Sequence, residues 1–195
     1  MNSRTGQVQV HEIDSATETG GSLGGFSHVL MSASTKQMRL LKIVSGGQTG
    51  VDRAALDAAQ AFDLSVGGWC PKGRRAEDGR IPARYPLSET PSADYEQRTA
   101  WNVRDSDGTL IITDGVLEGG TALTMAEAQR RGRPVLHVRT TDPVPVPMIR
   151  AWGEDHGLRT MNVAGPRASE ADGIYDRARG LLSELVTAVF EMPNG

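Results

Sequence analysis

Short apolar runs alternate along the chain with stretches of helical period, and glycine-bearing turns separate them. Leu40-Leu41-Lys42-Ile43-Val44 ends at a glycine loop and reads as a first, buried parallel strand. Arg53 to Phe62 then reads as helix, with Val51, Ala55, Ala59 and Phe62 forming one apolar stripe. Further strands are expected over Leu64 to Trp69, Gly108 to Thr113, Pro134 to Val138 and Leu158 to Val163. Helices are expected over Thr90 to Ser106, Thr121 to Arg131, Val146 to His156 and Ser169 to Phe190. Neighbouring strands separated by helices need crossover connections, which produce parallel pairing. The predicted fold is therefore α/β, a doubly wound parallel sheet of about five strands.

Two loops in this pattern suit an anion. Ser45-Gly46-Gly47-Gln48-Thr49-Gly50-Val51-Asp52 and Glu118-Gly119-Gly120-Thr121-Ala122-Leu123-Thr124 each lead from a strand into a helix. Such a turn aims bare N–H groups and the positive end of a helix at one point, where phosphate is favoured. With the strands ordered 2-1-3-4-5, strands one and three would be neighbours, and the two loops would meet at the switch point of the sheet. The candidate ligand-binding residues are Gly46, Gly47, Gln48, Thr49 and Gly50 from the first loop and Gly119, Gly120, Thr121 and Thr124 from the second. Lys72, Arg74, Arg75 and Arg80 follow the second strand; a solvated charged loop and a cover over the ligand, with Lys72 and Arg74 closing on it, both fit this cluster. Neither loop has the Gly-Lys-Ser/Thr ending of a P-loop or the G-x-G-x-x-G spacing of a dinucleotide fold, which disfavours nucleoside triphosphates and nicotinamide cofactors.

Composition narrows the function classes. At 195 residues the chain suits one folded domain, expected over 38–195. Residues 1–37 contain 15 Gly, Ser or Thr and no apolar period, so a flexible N-terminal tail is expected there. A net charge of −3 gives no global basic field, so nucleic acid is not an expected partner. No apolar stretch reaches the roughly 20 residues that span a bilayer, and no apolar signal core follows a basic start. One cysteine, Cys70, leaves no intrachain disulfide. The expectation is a cytoplasmic protein with no membrane partner.

Four segments together carry a family resemblance: Gly46-Gly47-Gln48-Thr49-Gly50-Val51-Asp52, Gly68-Trp69-Cys70-Pro71-Lys72-Gly73-Arg74, Gly119-Gly120-Thr121-Ala122-Leu123-Thr124 and Asn162-Val163-Ala164-Gly165-Pro166-Arg167. In this order they resemble the molybdenum carrier, or molybdenum-cofactor carrier, family over about Lys42 to Leu185. The resemblance implies a Rossmann-like fold and a homo-oligomer, dimer or tetramer. It also implies noncovalent carriage of the molybdenum cofactor (molybdopterin) or a similar phosphate-bearing pterin or nucleotide, with the two glycine loops as its binding loops. The wider group includes the Lonely Guy cytokinin-activating phosphoribohydrolases, and a nucleoside 5'-monophosphate phosphoribohydrolase is the alternative function. Those enzymes carry P-G-G-x-G-T-x-x-E. Here Glu118 stands for the proline, Ala122 for the third glycine, and Glu127 comes one residue late, a rotation of about 100° on a helix.

The remaining chemistry is sparse. His11, His28, His137 and His156 have no metal-ligand spacing. Cys70 reads as a small buried residue or as a thiol for the ligand; Asp52 and Asp57 both suit an acid or base, and Asp52 reads first as a cap at the helix start. Arg98, Asn102 and Asp105 repeat at helical spacing; a solvent face, the lining of a wet cleft and a subunit interface all fit them.

Overall fold

The computed structural model describes residues 38–141 and 146–190. The segment 1–37, expected from composition to be a flexible tail, lies outside the described residues. In chain order the elements are β1 (Lys42–Val44), α1 (Val51–Ala61), β2 (Ser65–Gly67), β3 (Trp69–Cys70), β4 (Arg75–Ala76), β5 (Gly79–Arg80), β6 (Ser88–Glu89), α2 (Tyr95–Arg104), β7 (Gly108–Thr113), α3 (Gly119–Arg130), β8 (Val135–Arg139), α4 (Val146–Asp155), β9 (Thr160–Ala164) and α5 (Ile174–Phe190). β7 has its expected bounds, and β8, α4 and β9 shift by one or two residues. The second strand stops at Gly67. Gly68 turns the chain at φ 128°, where a Cβ would strike the backbone of Ser45, and the chain resumes as β3 in a small separate sheet with β6.

The central sheet is five-stranded and parallel, in the order β2-β1-β9-β7-β8. This corrects the expected order, because the last strand lies between the first strand and β7. β9 is buried along nearly its whole length, as a strand covered on both faces must be, whereas β2 and β8 are partly exposed and form the edges. Counted from β9, the order becomes 3-2-1-4-5, the run found in dinucleotide-binding sheets. The C-terminal β9–α5 unit thus occupies the place of a first unit. The switch point falls between β9 and β7.

The two faces of the sheet differ in chemistry. Ile43, Met161, Val163, Leu110, Ile112 and Val138 share one face and pack with α1, α4 and α5 through Val51, Ala55, Ala59, Ile149, Ile174, Ala178, Leu182 and Leu185. Phe62, placed on the first helical stripe by its spacing, falls beyond the end of α1 and is exposed. On the other face α2 and α3 pack together. The buried residues there include Thr99, Asn102, Thr109, Thr113, Thr121, Thr124 and Asn162, and Asn162 donates to the Thr109 hydroxyl at 3.3 Å.

Asp57 ties α1 to α5 and to the segment after β5. Its carboxylate accepts the Tyr85 hydroxyl at 3.0 Å and the Tyr175 hydroxyl at 2.7 Å. Burial first, and then the Asp57 carboxylate, push the Tyr175 phenol up to about 12. In the unfolded chain a tyrosine titrates near 10. The unfolded state therefore gives up this proton first, and the contribution of Tyr175 is lost as pH rises from about 10 to about 12. Alkaline unfolding followed by circular dichroism should accordingly be less steep over that window in Tyr175→Phe than in the parent.

Candidate functional site

The two glycine loops use their glycines differently. In the first loop the space a Cβ would fill is taken by protein: Arg98 at Gly46, Leu87 and Ile81 at Gly47, and the backbone of Pro166 to Ala168 at Gly50. Gly47 and Gly50 also have φ of 77° and 72°, a region that favours glycine. In the second loop Gly119, at φ 50°, and Gly120 have nothing within 4 Å of the corresponding position. Only the second loop leaves its backbone open to an incoming molecule.

Beneath the first loop lies an ion pair. Arg98 reaches from α2 to place Nη1 3.1 Å from Asp52 Oδ2, with side chains 15% and 4% exposed. The same Asp52 oxygen accepts the Gln48 N–H at 3.2 Å. Asp52 therefore holds the loop and the arginine, and α1 has no side-chain cap. Burial pushes the Asp52 carboxyl up, and Arg98 and the loop hydrogen bonds pull it down by less. Of the polar repeat on α2, Asn102 is also buried, with its amide receiving from and donating to the Trp69 backbone at 2.8 and 2.9 Å.

Gln48 is 6% exposed, and its Oε1 accepts the backbone N–H groups of Thr49 and Glu77, each at 3.0 Å. Those bonds fix the amide orientation and leave Nε2 buried with no hydrogen-bond partner; Arg98 Nε is in the same position. Orphaned buried donors are rare and costly, about 1–3 kcal/mol each. Both side chains line a narrow cavity of about 30 Å³ completed by Asp52 of α1, by Gly120, Thr121 and Thr124 of α3, by Ala164 at the end of β9, and by Gly165, Arg167 and Glu170 after it. A wider cavity of about 370 Å³ shares Thr121 and Glu170 with it and is walled by Thr113 to Val116, Glu118, Gly119 and Pro166. Together they form one crevice beyond the carboxyl ends of β9 and β7, where open α/β sheets take their ligands.

Gln48, Gly119, Gly120, Thr121 and Thr124 line this crevice as the sequence led one to expect, though the Thr124 hydroxyl donates back to the Gly120 carbonyl at 2.9 Å. Thr49 does not line it. Its hydroxyl bonds Glu77 and accepts the Ala168 N–H at 3.1 Å, so it ties the first loop to the segment after β9. Burial opposes the charge on Glu77, but the hydroxyls of Ser169 and Thr49, then Arg167, outweigh it and hold the carboxyl below its usual range. Arg74 lies elsewhere: its guanidinium donates to the carbonyls of Ile81, Pro82, Tyr85 and Leu87 at 2.9–3.2 Å and shapes the 81–87 segment. Lys72 is exposed and outside the crevice. Sequence reasoning left Arg98 open among solvent, a wet cleft and a subunit interface, and missed Gly165, Arg167 and Glu170 as crevice residues. The Asn162 to Arg167 segment was visible as a motif, but its place depended on the strand order.

A third depression, of about 480 Å³, lies between α2 and α3 and contains Trp101, Leu123 and Glu127. Glu127 is bound there by Arg130 and Arg131 at 2.8 and 2.5 Å, and no buried donor in that depression lacks a partner. Among the described residues no group of His, Cys, Asp and Glu could hold a metal ion, and no helix is long and apolar enough to cross a membrane.

The fold is that of a Rossmann-like α/β protein with a crevice at the sheet switch point. The profile of the circularly permutated YpsA SLOG family matches residues 43–186, and the chain belongs to that family. It is also similar to a solved structure from Syntrophus aciditrophicus SB that carries the provisional name molybdenum carrier protein. Identity is 44%, the match covers 79% of this chain and 99% of that one, and the TM-score is 0.75. No curated protein matches the chain significantly. The placing of β9–α5 at the position of a first unit is what circular permutation of such a sheet produces.

Two outcomes follow from this geometry. Arg98→Met leaves the Asp52 carboxyl buried and unpaired and should cost about 3–5 kcal/mol in urea unfolding, with part of that loss recovered when Asp52→Asn is added. Cys70 is fully buried, and burial pushes its thiol up. Iodoacetamide should therefore label it slowly in the native protein and rapidly in urea.

Proposed function

We propose that the protein binds and carries a phosphate-bearing small molecule in the crevice between β9 and β7, and that this cargo is the molybdenum cofactor, molybdopterin, or a close pterin or nucleotide relative. One observation carries the reading: a buried amide donor on Gln48, fixed in orientation and without a partner, lines the same narrow cavity as Arg98, Arg167, Thr121 and the open backbone of Gly120. An oxyanion supplies acceptors for all of these at once, and the start of α3 adds the favourable end of its dipole. The likeness to a protein named for molybdenum carriage supports the choice of cargo. Carriage needs tight, reversible binding and no bond-breaking group, and the two carboxylates of the narrow cavity are held in ion pairs: Asp52 with Arg98, and Glu170 with Arg167 at 3.0 Å.

The alternative, hydrolysis of nucleoside monophosphates, needs a carboxylate at the sugar. Glu127, the residue nearest in sequence to that role, lies in the depression between α2 and α3 and does not line the crevice. The carrier reading is therefore preferred.

Isothermal titration with inorganic phosphate tests the site, and the mass and molybdenum content of copurified material test the cargo. A lost hydrogen bond to a charged group is worth about 1.5–3 kcal/mol, so Thr121→Val should weaken phosphate binding roughly 10- to 150-fold while circular dichroism shows the fold retained. Unchanged affinity would remove Thr121 from the site. Copurified material free of molybdenum and pterin would leave the phosphate site standing and rule out that cargo.

A further inference from the structure

The two ends of the crevice differ in their polar groups. The narrow end holds the donors Gln48 Nε2, Arg98 Nε, the Arg167 guanidinium and the Thr121 hydroxyl beside the carboxylates of Asp52 and Glu170, which are paired with Arg98 and Arg167. Among the described residues the wide end holds three carboxylates and no cation: Asp114, Glu118 and Glu170. Two of these are neutralised within the protein, Asp114 by Arg177 at 3.0 Å and Glu170 by Arg167 at 3.0 Å. The Glu118 carboxylate has no partner among the described residues and makes no cap bond at the start of α3, although it stands at the N-cap position. An acidic side chain alone would signify nothing. Here the fixed amide of Gln48, lacking an acceptor, lies in the adjoining cavity, and Thr121 and Glu170 line both ends, so one molecule can reach from the donor to Glu118.

From this we infer that the crevice selects the base as well as the phosphate: Glu118 accepts the paired N–H donors of a 2-amino-4-oxopyrimidine ring, the ring shared by guanine and pterins, while the phosphate faces Gln48 and Arg98. This inference rests on the carrier reading above. An ionised carboxylate only accepts hydrogen bonds, and its two oxygens match two adjacent donors. The ring N–H and exocyclic amine of guanine or a pterin present such a pair. Adenine offers a ring acceptor at the equivalent position, which would face the carboxylate unsatisfied. The cavity at this end, about 370 Å³, falls within the usual size range of small-molecule sites. With no Cβ at Gly119 and nothing within 4 Å of its place, a flat ring can approach the chain closely.

The test titrates the full chain and its Glu118→Gln variant with GMP, AMP and inorganic phosphate. GMP should bind the parent at least about tenfold more tightly than AMP, and Glu118→Gln should narrow that gap to about threefold or less with phosphate affinity unchanged. Circular dichroism should show the same fold for both, since the Glu118 side chain caps nothing. Equal binding of GMP and AMP by the parent, or a gap that survives Glu118→Gln, overturns the inference. If phosphate binds and responds to Thr121→Val while the bases are not distinguished, only the assignment of Glu118 fails. If phosphate does not bind, the carrier reading falls and this inference falls with it.

Discussion

The position of β9 governs the rest of the architecture. Its backbone pairs with β1 on one side and β7 on the other, and it brings Ala164 to Arg167 between the two glycine loops. Ser45 fixes the junction with β1 by donating its hydroxyl to the Val163 carbonyl at 2.7 Å. The turn after β9 also closes against the first loop, with Val51 N–H on the Pro166 carbonyl at 3.2 Å and the Cα of Gly50 against the same segment. Had β9 lain at the edge, the loops after β1 and β7 would have been adjacent, and neither Arg167 nor Glu170 would have reached the crevice.

Because the segment after β9 fills that space, the first loop becomes structural. Glycine serves there to let protein approach protein: Arg98 at Gly46, the Leu56, Ile81, Tyr85 and Leu87 cluster near Gly47, and the β9 turn at Gly50. Its contribution to the crevice wall is the side chain of Gln48. The second loop has the opposite character, with open backbone and no packing over its glycines. Two loops of similar composition thus have different functions, according to what lies across from them.

The Asp52–Arg98 pair links packing to binding. Holding a carboxylate and a guanidinium with so little exposure is costly unless each remaining polar atom finds a partner. Asp52 satisfies that condition through Arg98 and Gln48, whereas Arg98 Nε and Gln48 Nε2 do not. The shortfall lies on the cavity wall, where an anion can remove it. The polar face of the sheet, with Asn162, Thr109, Thr121 and Thr124, continues that polarity toward the site.

Residue pattern alone determined the element types and most of their bounds. The run Gly108 to Thr113 is apolar and β-branched enough to be a strand in any context, and the periods of α1 and α5 follow from helical geometry. The four motifs also sufficed for the family. Pattern could not place β3, β4, β5 and β6, because two-residue strands have no period. Nor could it distinguish Asn102 and Arg98 from a solvent face, since a polar residue is equally polar whether water or a buried partner satisfies it. Above all, hydrophobic period records which residues are covered and carries no information about which strand covers them. The order β2-β1-β9-β7-β8, and with it the pairing of Gln48 and Arg98 with the turn after β9, was decided only when the C-terminal unit took the centre of the sheet. There β9 is hydrogen-bonded on both edges, with Met161 and Val163 covered on one face and Asn162 buried on the other.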